Sequence, residues 1–148
     1  MSHSAVVLDA SVTATWLLPD EASEASRKVF VRIRRGSLVA HAPELWLWEC
    51  GNIIASGVKR DRITPADALL TWSVLDAIRT RVELTSPAPA QARAALTLAM
   101  DDCLSLYAAA YLWLALSLKV PLLSTDKALV RAASRRAVTV VGLEEVAQ

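Results

Sequence analysis

Short apolar runs alternate with longer segments whose apolar residues recur at helical spacing, from one end of the chain to the other. That alternation is the signature of a parallel β-sheet with helices on its faces. Ala5 to Leu8 reads as a fully buried first strand. Ser11 to Leu18 predicts a short helix stopped by Pro19, and Asp20 to Arg35 a second, with Asp20 or Ser23 near its start and Gly36 at its end. Strand two is expected at Ser37 to His41, after which Pro43 opens a helix running to about Lys59. Pro65 sits in the first turn of the next helix, which ends near Arg79, and Val82 to Leu84 forms a third strand. Ser86-Pro87-Ala88-Pro89 is a turn rather than a linker, because an Ala-rich helical pattern resumes at Ala90 and runs to Met100. A helix from Ser105, a fourth strand at Val120 to Ser124, a helix at Lys127 to Ser134 and a fifth strand at Val138 to Val141 complete the pattern. The expectation is one α/β domain spanning residues 1–148, without repeats or low-complexity segments.

Composition narrows this picture in three ways. The chain has 148 residues, 54% of them hydrophobic, which is ample for one core and short for two domains. Its 16 basic and 15 acidic side chains nearly cancel. There is no global field of the kind a strongly basic nucleic-acid binder carries, so any nucleic-acid contact must be local. Cys50 and Cys103 stand far apart in apolar surroundings without metal-ligand spacing, which predicts two buried thiols. The segment from Met1 to Asp9 has no basic region and too short an apolar run for a signal peptide, so a cytoplasmic location is expected. The uncharged run Cys103 to Leu118, at 16 residues, falls short of the ~20 that a spanning helix needs and ends at Lys119-Val120-Pro121. It reads as a buried helix, and no membrane partner is expected.

Acidic residues change the picture more. Open parallel sheets bind ligands beyond the carboxyl ends of their strands, where strand order reverses. Asp9 directly follows strand one, and Asp126 follows strand four. Taken singly, each is accounted for as a helix N-cap. If strands one and four are neighbours, the two carboxylates converge, and like charges held close need a cation or a raised pKa. A hard divalent ion such as Mg²⁺ suits oxygen ligands with no histidine or paired thiol nearby. Glu49 is a third candidate, set in the apolar segment Pro43-Glu44-Leu45-Trp46-Leu47-Trp48-Glu49-Cys50-Gly51-Asn52 with no Lys or Arg within four residues. Glu49 and Asn52 share a helix face, as do Asn52 and Ser56, so Asn52 is expected to orient an inward-pointing Glu49.

Four stretches, taken in order, resemble the PIN domains of VapC-type toxins. They are Val7-Leu8-Asp9-Ala10-Ser11, Ala42-Pro43-Glu44-Leu45-Trp46 with Glu49 and Asn52, Tyr107 to Leu116, and Val120-Pro121-Leu122-Leu123-Ser124-Thr125-Asp126-Lys127-Ala128-Leu129. The resemblance implies a PIN-like fold with a five-stranded parallel sheet of order 3-2-1-4-5. It also implies a ribonuclease that binds Mg²⁺ or Mn²⁺ through Asp9, Glu49 and Asp126, with Ser11 and Ser124 flanking the site. It further implies an RNA substrate, a VapB-like antitoxin whose C-terminal segment crosses the groove, and a homodimer. One position departs from the pattern: the family carries Asp where this chain has Ala108, so activity is expected to be impaired or abolished. Neither Asp101 nor Asp102 replaces it readily. In a helix reaching back that far, Asp101 stands about 10 Å along the axis from position 108, and Asp102 points to another face. Natural loss of the acid or an introduced Asp-to-Ala change would each leave this sequence, and the intact surroundings favour the second.

No Ser-His-Asp or Cys-His set competes, since His3, expected in a mobile terminus, and His41, expected at the end of strand two, lack matching partners. Basic residues cluster at Arg27-Lys28, Arg32-Arg34-Arg35, Lys59-Arg60-Arg62 and Arg131-Arg135-Arg136, each accounted for as a solvated helix face. Trp16, Trp46, Trp48, Trp72 and Trp113 are assigned mostly to the core. Two rival functions remain. One is a non-catalytic module that keeps antitoxin or RNA binding. The other is a Mg²⁺-dependent phosphatase, for which Asp9-Ala10-Ser11 lacks the second acid of Asp-x-Asp.

Overall fold

The computed structural model describes residues 3–148; Met1 and Ser2, the start of the segment read above for a leader, lie outside the described residues. Five parallel strands form one sheet of order β3-β2-β1-β4-β5. They are β1 (Ala5–Leu8), β2 (Val39–Pro43), β3 (Val82–Thr85), β4 (Leu122–Leu123) and β5 (Val140–Val141). Among the described residues eight α-helices, with one 3-10 turn at Pro19–Glu21, connect and flank them: α1 (Ala10–Leu17), α2 (Glu24–Arg35), α3 (Leu45–Lys59), α4 (Pro65–Arg79), α5 (Pro89–Asp102), α6 (Leu106–Leu118), α7 (Lys127–Arg135) and α8 (Leu143–Val146). A parallel sheet covered on both faces needs strands without polar interruption, and Val6, Val7, Leu8, Leu122 and Leu123 are all buried.

Strand order reverses at β1. From it the chain adds β2 and β3 on one side, then returns to add β4 and β5 on the other. The β1–β4 boundary is therefore the switch point where an open α/β sheet leaves a crevice beyond its strand ends. Leu8 lies opposite Leu123 and the Asp9 amide donates to the Leu123 carbonyl at 3.1 Å, so Asp9 and Ser124 leave the sheet side by side.

Helix ends follow their capping chemistry. Ser23 caps α2 through a reciprocal pair with Ser26, and Gly36 closes it at φ +75°, a left-handed conformation that costs glycine little. Thr64 caps α4 ahead of Pro65, and Ser105 caps α6 by accepting from the Ala108 amide at 3.1 Å. Trp46 is buried in the core and donates its indole N–H to Thr13 Oγ1 at 3.0 Å, so the largest core side chain leaves no polar atom unpaired.

Several expectations are corrected. Pro43 ends β2, opposite Thr85, rather than opening α3. His41 is interior to β2 and faces Glu83 at 3.2 Å. His3 pairs with Glu145 at 3.0 Å, which ties down the start of the described chain. Strands β4 and β5 shrink to two residues each, because a strand extends only as far as both neighbours offer paired backbone. Cys50 is buried as expected but Cys103 is exposed, since it closes α5 at φ 53°, outside the core. Trp48 and Trp72 are exposed as well. Helix α5 runs through Asp102, so Asp101 and Asp102 belong to the helix before the one that carries Ala108.

Candidate metal centre

Asp9, Glu49 and Asp126 line one pocket of about 390 Å³ at the switch point, together with Ala10, Ser11, Leu45, Trp48, Asn52, Ile53 and Tyr107. Each acid arrives from a different place in the fold: Asp9 just after β1, Glu49 on α3, Asp126 at the N-cap of α7. No Lys or Arg side chain lines this pocket.

The two strand-end aspartates do different work. Asp126 caps α7, its Oδ1 accepting from the amides of Ala128 at 2.9 Å and Leu129 at 3.1 Å. Asp9 holds the N-cap position of α1 but makes no capping bond with its side chain. Its Oδ2 instead accepts from the hydroxyls of Ser11 at 2.6 Å and Ser124 at 2.7 Å. Those hydroxyls are themselves held by backbone: Ser11 Oγ accepts from the Thr125 amide and Ser124 Oγ from the Asp126 amide, both at 3.0 Å. Ser124 thus couples the two aspartates through one hydroxyl. Ser11 lines the pocket, and Ser124 stands behind it against Asp9.

Glu49 is held by a residue that the sequence reading did not single out. The Tyr111 hydroxyl, on α6, donates to Glu49 Oε1 at 2.6 Å. Asn52, expected to orient Glu49, is exposed and forms no hydrogen bond to it among the described residues; it lines the same pocket. Tyr111 lies one turn after Ala108 on the same face of α6, so that face points towards the acids. Helical spacing from position 108 was the only signal that could have found it.

Electrostatics follow from burial without a counter-charge. Burial pushes the Asp9 carboxyl above its ordinary range; the two serine hydroxyls pull it down, and the charge of Asp126 adds to the rise. Burial likewise raises Glu49, against the Tyr111 hydrogen bond and with the repulsion of Asp9 and Asp126. The Tyr111 phenol is raised far out of reach of neutral pH, by burial first and by the charge of Glu49 second, so it acts as a fixed donor.

The donor set suits a hard divalent cation. It offers carboxylate and hydroxyl oxygens and an amide side chain, with no thiol, imidazole or ammonium group among the pocket residues. Side-chain donors and the capping amides engage one oxygen of each acid: Oδ2 of Asp9, Oε1 of Glu49 and Oδ1 of Asp126. The convergence is looser than a shared inner coordination sphere, however. Among the described residues no three His, Cys, Asp or Glu side chains close into a group that encloses an ion. Mg²⁺ tolerates such openness because it keeps several waters and takes only one or two carboxylates.

Asp101 and Asp102 play no part here. Asp102 receives Arg136 Nε at 2.9 Å and Arg135 Nε at 3.3 Å, and Asp101 faces Arg136 at 3.5 Å. The other basic clusters are also partly engaged, Arg62 by Asp20 and Glu21, Lys28 by Glu24, and Arg32 by backbone carbonyls.

Residues 6–135 match the family model described as PIN domain. No curated protein matches the chain. Among solved structures, PAE2754 from Pyrobaculum aerophilum shares the fold with a TM-score of 0.69 at 18% identity, covering 99% of this chain and 96% of its own.

Proposed function

Because the chain belongs to the PIN domain family, whose fold is typically that of a metal-dependent nuclease, we propose that it is a VapC-type toxin. In this reading it is an endoribonuclease that uses Mg²⁺ or Mn²⁺ and is impaired by the alanine at position 108. The observation that carries the reading is the pocket in which Asp9, Glu49 and Asp126 meet without a basic side chain. Asp9, Glu49 and Asp126 would hold the ion. When bound, a divalent cation offsets phosphate charge and makes water a better nucleophile. The protein's part is preorganisation: Ser11 and Ser124 pin Asp9, two α7 amides pin Asp126, and Tyr111 pins Glu49. Lys127 and Arg131, one turn apart on the helix that begins after Asp126, are exposed and form no ion pair among the described residues. They are the nearest candidates in sequence for holding an RNA phosphate.

Two exposed surfaces support the proposed partners. An apolar groove of about 350 Å³, lined by Pro43, Ala92 and Trp113 among others, joins the acidic pocket through Leu45, Trp48 and Tyr107. Trp48 is 79% and Tyr107 62% exposed, a large apolar area beside a buried charge, which suits the C-terminal segment of a VapB-like antitoxin. Leu69, Leu70 and Trp72 on α4 are also exposed and suit a homodimer contact. No helix among the described residues is long and apolar enough to cross a membrane; cytoplasmic action is part of the proposal.

A second reading is favoured by Ala108 and by the open arrangement of the acids: a PIN-fold module that binds antitoxin or RNA and does not cleave. Ala108→Asp separates the two. Adding an inner ligand is expected to raise Mn²⁺ affinity and cleavage of a structured RNA together, by ~10–100-fold, and to lower the melting temperature without metal by adding repulsion. Equal cleavage and an equal metal-dependent melting shift in both chains would mean that position 108 is outside the site and that the mechanism drawn from the resemblance is wrong; cleavage by neither chain favours the non-cleaving module.

A further inference from the structure

Glu49 is a long side chain with three rotatable bonds, half-buried on α3, and it needs an anchor to present one oxygen consistently. Its helix supplies none, since Asn52, on the same face, makes no bond to it among the described residues. The anchor comes from α6. Tyr111 is 1% exposed, locked in the core, and its hydroxyl reaches Glu49 Oε1 at 2.6 Å. Among the described residues this is the only hydrogen bond from α6 to an acid of the pocket. One turn earlier, Ala108 has nothing to contribute.

We infer that Tyr111 is a positioning residue that turns Glu49 Oε2 towards the pocket by holding Oε1, so that the pocket's affinity for a divalent cation depends on one buried phenol hydroxyl. The inference rests on the reading of the pocket as a cation site. A tyrosine suits the task because its ring is packed in the core and has few torsions to fix while its hydroxyl reaches a polar partner. The alternative is a purely structural bond, in which Glu49 merely satisfies a buried hydroxyl. The two differ in what the loss of the oxygen does to metal binding.

Tyr111→Phe removes that oxygen and keeps the ring. It is read by Mn²⁺ titration and by melting temperature with and without Mn²⁺, alone and combined with Glu49→Gln, in the parent chain and with A108D. If Tyr111 acts through Glu49, Tyr111→Phe weakens Mn²⁺ binding by ~10-fold or more and shrinks the Mn²⁺-dependent rise in melting temperature. In the Glu49→Gln background the same change then has no further effect on Mn²⁺. Unchanged Mn²⁺ affinity, with melting lowered equally in both conditions, overturns the inference and leaves the pocket reading standing. Absence of Mn²⁺ binding by the parent chain and by A108D alike overturns the pocket reading and this inference with it.

Discussion

Two acidic side chains in this chain, those of Asp102 and Asp9, are both largely hidden and end up in opposite electrostatic situations. The Asp102 carboxylate, 6% exposed at the end of α5, receives Arg135 and Arg136 from the last turn of α7 and the residue after it. Asp9, buried at the end of β1, receives only neutral side-chain donors, the hydroxyls of Ser11 and Ser124, and shares its pocket with two further acids. The first carries its own cations and acts as a joint between α5 and α7. The second carries none, and burial raises Asp9 and Glu49 above their ordinary range. Helix α7 joins the two, with Asp126 capping its first turn and the arginines at its far end. The difference teaches that burial of an acid says little about function until its counter-charges have been counted.

The comparison breaks most visibly at the joint. Removing one partner of a fully buried ion pair costs roughly 3–5 kcal/mol, and here the arginines can turn to water. Asp102→Ala is therefore expected to cost about 2 kcal/mol of stability, by the same amount with and without Mn²⁺, as measured by urea unfolding. A loss that Mn²⁺ alters would show that the joint and the pocket are not separate.

At the pocket the sign reverses. Asp9→Asn removes a buried charge that no cation compensates, so the metal-free protein should gain about 1 kcal/mol, while the stabilisation conferred by Mn²⁺ disappears. Calorimetry of both chains with and without metal checks this. A less stable metal-free variant would mean that Asp9 is a structural residue like Asp102.

The smallest effect is in pH. Because Asp9 and Glu49 bind their protons more tightly folded than unfolded, they favour folding as pH falls from their raised values towards the ordinary carboxylate range. That contribution is lost as pH rises through the raised values. Asp20 and Glu145 work the other way: hydrogen bonds from Arg62 and His3 hold them low, so their contribution is present above the ordinary range and lost as pH falls through their lowered values. The informative quantity is thus a difference. Metal-free Glu49→Gln should show a smaller stability gain between pH 7 and about pH 5 than the parent, and identical slopes would remove Glu49 from the set of strained acids.

Much of the fold was legible because local chemistry and global pattern agree. Pro65, Gly36, Ser23 and Ser105 mark helix ends where the structure has them, and the uninterrupted apolar runs became the central strands. The errors lie where a partner decides. Pro43 joined β2 because Thr85 stands opposite it, and Cys103 left the core because α5 ends beneath it in a left-handed turn. Trp48, placed among core tryptophans by its apolar neighbours, faces outward because the buried face of α3 belongs to Trp46 and Cys50.

For the site, the sequence by itself determined which acids could meet: Asp9 and Asp126 follow strand ends, a position that topology aims at one crevice, and Glu49 stands in a helix without local counter-charges. It also determined that position 108 offers no ligand. Only the tertiary structure decided what holds each acid. The serine hydroxyls on Asp9, the Tyr111 hydroxyl on Glu49 and the arginines on Asp102 all come from residues distant in the chain or across a turn, and a hydrogen bond a few ångströms long is specified by packing, which no spacing along the sequence encodes.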